Sequence, residues 1–341
     1  MDTMTSRQRF MAALRGQPVD RVPVGSPTSV ATVELMEATG AFFPQAHTDG
    51  ETMARLAAGG HDVLGFDTVA PVFSIAQEAA ALGCGMDWGR KDWMPINTTS
   101  PYAEPDDLRI PDDFLEKPSI KACLDAIRIH RQQYGDRVAI IGKVMGPWTL
   151  SYHARGVQEF LLDTVIDSDK ARRFLERLMP VSLLFARAQI EAGADVVVIA
   201  DHCTGDMVRA ETYRDFLLPL HKAMTRELAF PTILHCCGKA LDRMDYFAQA
   251  GFTCYHFESK NDPYQAMDIV KGRMTLVGNI NNPATLLKGT SEDVEREVRT
   301  AIDAGVQIVA PECAVPVVTP NRNLQAIVEA VKAFGQKGAA G

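Results

Sequence analysis

The chain has 341 residues, of which 46% are hydrophobic and 23% charged, with a formal net charge of −8. That composition suits a globular protein with a sizeable core, while the negative balance argues against a nucleic-acid partner, whose phosphates call for a basic face. No apolar run approaches the roughly 20 residues of a membrane span. The seven scattered cysteines, an odd number, argue against a disulfide framework.

The first fifteen residues are amphipathic and lack the apolar core of a signal peptide, so a cytoplasmic protein is expected. Eight short β-branched runs then follow in order, at residues 22–25, 68–72, 139–144, 196–200, 232–236, 254–258, 275–279 and 306–311. Most end at or next to Gly, Asn, Asp, Cys or Pro and lead into a longer stretch of helical periodicity, which is the pattern of βα units. Residues 167–192 place Ala171, Phe174, Leu175, Leu178, Leu183, Leu184 and Ala188 near one helical face, and Gly193 stops the helix before the next run. The phrases Gln249-Ala250-Gly251-Phe252 and Asp303-Ala304-Gly305-Val306 repeat that junction. Eight strands with intervening helices predict an α/β fold, a single (β/α)8 TIM barrel over residues 1–341 with an N-terminal helical extension. Residues 83–118, rich in proline, break the pattern and are read as a lid or a wall of the site. Residues 337–341 are expected to fray.

In a barrel the carboxyl ends of the strands face the active site. The fifth run ends Ile233-Leu234-His235-Cys236-Cys237-Gly238, and strand alternation puts His235 and Cys237 on one side with Cys236 on the other. Cys313 ends the eighth run, in Ala310-Pro311-Glu312-Cys313. His, Cys and Cys suit Zn²⁺, and three protein ligands leave one position open, as catalytic zinc requires. From these residues alone, strand capping by His235 and Cys237 with an unrelated Cys313 is the other reading. Glu258, ending the sixth run, is a candidate fourth ligand, an acceptor for His235, or a partner of Lys260. Asp201 and His202 follow the fourth run as further candidates, with a rim histidine as the plainer reading of His202. Asn279 either contacts a ligand or caps a helix. Lys143, Gly146 and Pro147 sit at or just after the third run, where a cation could face a ligand's sulfonate or phosphate, with solvated surface as the plainer reading of the lysine.

His235-x-Cys237, Leu276-Val277-Gly278-Asn279, Ala310-Pro311-Glu312-Cys313 and Val318-Thr319-Pro320 occur together with an opening phrase from Ala12 to Val24. In this combination the sequence resembles the methylcobamide:coenzyme M methyltransferases of the uroporphyrinogen decarboxylase superfamily. The resemblance runs over nearly the whole chain. It implies zinc held by His235, Cys237 and Cys313, a small thiol acceptor such as coenzyme M at the open position, and a methyl-corrinoid supplied by a separate partner protein. Homocysteine, another thiol, or a demethylation system feeding folate are the neighbouring alternatives. Uroporphyrinogen decarboxylase itself is the rival activity, but its arginine-rich opening is replaced here by Val24-Gly25-Ser26-Pro27-Thr28-Ser29-Val30, which has no arginine to grip carboxylates. The His47-Thr48-Asp49-Gly50 stretch is read as chance, since Gln45 breaks a corrinoid-binding motif, so the corrinoid must come on the partner.

Overall fold

The computed structural model describes residues 2–336, so the expected frayed tail at 337–341 lies outside the described residues. Among the described residues nine strands form: β1 Thr68–Val69, β2 Gly85–Asp87, β3 Ile96–Thr99, β4 Ala139–Met145, β5 Val196–Ala200, β6 Thr232–His235, β7 Cys254–Phe257, β8 Thr275–Ile280 and β9 Ile308–Pro311. Seven of them, in the order β1-β4-β5-β6-β7-β8-β9, make one parallel sheet with a helix or helices in every crossover. The sheet is curled, and β2 and β3 form a separate antiparallel hairpin.

Seven of the eight expected runs are therefore strands of this sheet, with their ends placed within three residues. The first, residues 22–25, forms no regular strand. Pro23 has no N–H to give a ladder, and only Val24 bridges, in parallel, to Val309. The segment is nonetheless hydrogen-bonded on both sides: Val309 donates to the Pro23 carbonyl at 3.0 Å, Gly25 donates to the Val309 carbonyl at 3.1 Å, and Asp67, just before β1, donates to the Val24 carbonyl at 2.7 Å.

The long helix runs Ser168–Ala192, capped by the Asp167 side chain and ended by Gly193 at φ 116°. Side chains on the two faces of the sheet enter two apolar cores. On the concave face Ile141, Val198, Ile233, Cys254, Val277 and Ile308 meet Phe10, Ala13 and Leu14 of the helix Ser6–Leu14. That helix starts with a reciprocal cap between Thr5 and Gln8, and its apolar face plugs the amino-terminal end of the sheet. Burying Phe10 completely stabilises the plug by roughly 1.5–3 kcal/mol. Continuing the alternation two residues toward the carboxyl ends carries Lys143, Ala200, His235, His256 and Asn279 onto the same face, above the plug. The region 83–118 contributes the β2–β3 hairpin and short turns, and Met94 and Pro95 from it line the cavity over those strand ends, so it is a wall. No helix among the described residues is long and apolar enough to cross a membrane.

Candidate metal centre

Three soft donors converge at the carboxyl ends of β6 and β9. His235 Nε2 lies 3.0 Å from Cys237 Sγ, Cys237 Sγ lies 3.1 Å from Cys313 Sγ, and Cys313 Sγ lies 3.5 Å from His235 Nε2. Strand alternation acts as expected. Cys236 turns away, 1% exposed, its sulfur near the Cys237 carbonyl. Gly238 makes the claw possible, because its φ of 82° bends the chain immediately after Cys237 and a Cβ there would sit 2.2 Å from Thr204 Oγ1.

Burial, reinforced by the neighbouring His256, His202 and Lys143, holds the His235 imidazole well below its usual range and so neutral, as a ligand must be. Its Nδ1 is buried without a partner. Cys237 and Cys313 share a sulfur–sulfur hydrogen bond in which either can donate, and this bond raises Cys237 well above the ordinary thiol range and lowers Cys313. A cation between the two sulfurs would take the place of that hydrogen bond. A tetrahedral zinc with bonds of roughly 2.3 Å to sulfur spaces two sulfurs roughly 3.8 Å apart. The observed triangle is tighter than that, and a neutral imidazole with two thiolates is a donor set that zinc prefers. The residues present fit the ion.

Two side chains stand at the flanks of the triad. Glu258 offers a carboxylate oxygen that lies, with Cys237 Sγ and Cys313 Sγ, in a group whose members are all within 4.8 Å of one another. His202 does the same with His235 and Cys237. Burial, together with the Glu312 carboxylate, pushes Glu258 above the usual carboxylate range. The suggested pairing of Glu258 with Lys260 does not form, because Lys260 Nζ binds Asp206 at 2.6 Å instead. His202 is tied by Nδ1 to Thr149 Oγ1 at 3.0 Å, and it lines the cavity with its ring 5.4 Å from that of His235. Asp201 is further away from the chemistry: it accepts from Thr149 N at 2.7 Å and pairs with buried His221 at 3.0 Å. Asn279 neither reaches the cavity nor caps a helix. Its Nδ2 donates to the Asn261 carbonyl at 3.2 Å, and Asn281 takes the capping role.

Other groups shape the site without a local sequence signal. Glu312 accepts from Ser259 N at 2.9 Å and from Asn282 N at 2.8 Å, so one carboxylate beside Cys313 clamps the loops after β7 and β8. His256 stacks obliquely on His235 at 4.6 Å between ring centres and is anchored through Nε2 to the Pro311 carbonyl at 2.8 Å. Lys143 is 4% exposed, which corrects its reading as surface; the register that puts Ile141 in the concave core also turns Lys143 inward. His47 is buried and stacked on Phe43 at 4.1 Å, a core histidine. Over the strand ends lies a cavity of about 290 Å³ lined by Lys143, His202, His235 and Cys313, with Thr28, Phe73 and Met94 across from them.

Residues 5–334 match the family described as uroporphyrinogen decarboxylase (URO-D). A methylcobamide:CoM methyltransferase of Methanosarcina barkeri is 35% identical to the chain, with 97% of this chain and 98% of that protein covered. A methylated-thiol–coenzyme M methyltransferase of Methanosarcina mazei is 34% identical, with 96% and 89% covered. Among solved structures, a methyltransferase from Methanosarcina mazei superposes with a TM-score of 0.94 at 33% identity, covering 97% of this chain and 99% of that one.

Proposed function

The chain belongs to the uroporphyrinogen decarboxylase family, among its methylcobamide:CoM methyltransferase members, and we propose that it transfers a methyl group from a methylated corrinoid to a small thiol, coenzyme M being the acceptor its relatives name. The observation that carries this reading is the convergence of His235, Cys237 and Cys313 within 3.5 Å of one another at the floor of an open cavity. The corrinoid comes on a separate protein and the reaction takes place in the cytoplasm. We read the barrel as closed by residues 22–25, whose hydrogen bonds reach both β9 and the start of β1, with the helix Ser6–Leu14 as its extension and the chain as one domain.

His235, Cys237 and Cys313 would hold Zn²⁺, which supplies a Lewis-acid position where a thiol becomes a thiolate at neutral pH. The protein's own contribution is the electron density at that position. Two anionic cysteines and one neutral imidazole leave a bound sulfur nucleophilic, whereas an all-histidine set would favour activated water. Phe73 and Met94 keep the approach apolar, and Glu312 holds the β7 and β9 loops in register, so that Glu258 and Cys313 face each other. Glu258, grouped with Cys237 and Cys313 within 4.8 Å, would complete the coordination of the metal and yield that position to the acceptor thiol. The decarboxylase reading has little support, because no arginine lines the cavity among the described residues and Lys143 alone would leave most of a polycarboxylate's charges unpaired.

The deciding experiment is anaerobic demethylation of methylcobalamin by the zinc-loaded protein, with coenzyme M, homocysteine and other thiols run in parallel. Demethylation that depends on one of these thiols is expected, and no reaction with any thiol would remove methyl transfer as the activity. Binding of the acceptor should also release about one proton per site at neutral pH, since a free thiol with a pKa of roughly 8.5 arrives protonated. Calorimetry in buffers of different ionisation enthalpy reads that proton directly, and binding without release would mean that the sulfur does not reach the metal.

Glu258→Gln is expected to keep most of the zinc while changing the resting coordination seen by X-ray absorption, with thiol affinity altered severalfold and metal affinity less. An unchanged coordination shell with normal transfer would take Glu258 out of the site and leave His202 as the flanking candidate.

A further inference from the structure

Lys143 is an unusual residue for the interior. It is 4% exposed, stands beside Val198 in the ladder, and points from the concave face into the cavity that Cys313 and His235 also line. Its backbone is satisfied by the Gln189 side chain, but its ammonium makes no hydrogen bond and no ion pair among the described residues. Burying an unpaired ammonium is costly, and a lysine in such a place normally has a partner. Across the same cavity Thr28 Oγ1 is buried and likewise has no hydrogen-bond partner. Between the two polar groups and the sulfur ligands the walls are apolar, including Phe73, Ile75 and Met94.

A cavity of about 290 Å³ with a sulfur-binding floor and an unpaired cation holds a short molecule that carries a thiol and an anion. We infer that Lys143, assisted by the Thr28 hydroxyl, binds the anionic tail of the acceptor thiol and selects sulfonate- or carboxylate-bearing thiols over neutral ones. This rests on the thiol-acceptor reading and adds to it the residue that sets specificity. Burial brings the Lys143 ammonium down only to about 8, so it remains largely charged at neutral pH. Glu78, the carboxylate whose charge acts most on Lys143, accepts from Met145 N through Oε1 at 2.7 Å, leaves Oε2 buried without a hydrogen-bond partner, is driven by burial up to about 7, and makes no ion pair with the lysine. The tail supplies the missing charge.

The test compares 2-mercaptoethanesulfonate with 2-mercaptoethanol as acceptors, with free methylcobalamin as donor. The wild-type protein is expected to prefer the sulfonate by roughly 10–100-fold in kcat/KM, the size of a hydrogen bond to a charged group in a dry site. Lys143→Met, close in volume, should collapse that preference toward parity, acting mainly through KM for the sulfonate. Lys143→Arg should recover part of it, and Thr28→Val should lower it severalfold. Calorimetric titration of 2-mercaptoethanesulfonate into each zinc-loaded variant should show the same order of affinities. Equal losses for both thiols in Lys143→Met would assign the lysine to fold or metal electrostatics and overturn the inference. A rise in KM for methylcobalamin but not for methylcobinamide, which lacks the nucleotide phosphate, would place that phosphate on Lys143 and overturn it as well. Absence of transfer to every thiol in the wild-type protein would instead reject the proposed function itself.

Discussion

Cys237→Ser and Cys313→Ser are each expected to reduce bound zinc from about one per chain to a small fraction, and methyl transfer by roughly a thousandfold or more, because each removes a thiolate from a three-ligand set with no reserve. Cys236→Ser should keep the metal and most of the activity, although it lies between the other two residues of the claw. The contrast comes from strand geometry. Cys237 Sγ meets Cys313 Sγ at 3.1 Å, while Cys236 Sγ turns to the Cys237 carbonyl at 3.7 Å. Placing a hydroxyl at that buried point costs stability, about 1–3 kcal/mol, so the variant should melt earlier yet still load. Metal content after dialysis, read beside a thermal melt, separates the two effects. Zinc lost from Cys236→Ser and kept by Cys237→Ser would reverse the choice of ligands.

The claw was legible because alternation is a local rule and His-x-Cys obeys it wherever the strand ends. The helix Ser168–Ala192 was legible for a similar reason, since its apolar period and the glycine that ends it lie side by side in the chain. What alternation also says about Lys143 was obscured by residue type. The run Ala139, Ile141, Lys143 has one parity, yet a lysine at the end of it reads as surface unless the strand is already known to curl around a cavity. Glu312 carries no local mark at all, because its hydrogen bonds join residues 53 and 30 positions away. The β2–β3 hairpin was missed because its second strand, Ile-Asn-Thr-Thr, is short, mostly exposed and without apolar alternation. The first expected strand shows the converse. Residues 22–25 carry the valines of a strand, and Pro23 takes away the donor that a ladder needs.

That first segment is held instead by charge, and Asp67→Asn is expected to lower the unfolding free energy by about 3–5 kcal/mol. Asp67 is 1% exposed and accepts from Arg9 Nη1 at 2.8 Å, from Arg21 Nη1 at 2.9 Å and from Val24 N at 2.9 Å. One carboxylate thus joins the helix Ser6–Leu14, the 22–25 segment and the start of β1. Removing its charge leaves two buried guanidinium groups short of a partner, and only Arg9 retains a strong one, in Asp20 at 2.7 Å. The control is Asp106→Asn, whose pairs with Arg173 and Arg177 are at least half exposed on one side and should contribute about 0–1 kcal/mol. Urea unfolding should show a lower midpoint for Asp67→Asn at an unchanged slope, with Asp106→Asn near wild type. The network lies at the amino-terminal end of the sheet, away from the sulfur ligands, so the folded variant should still bind about one zinc. Equal midpoints for the two variants would mean that the hydrogen bonds of Pro23, Val24 and Gly25 to β9 and Asp67 suffice to hold the segment without the buried charge.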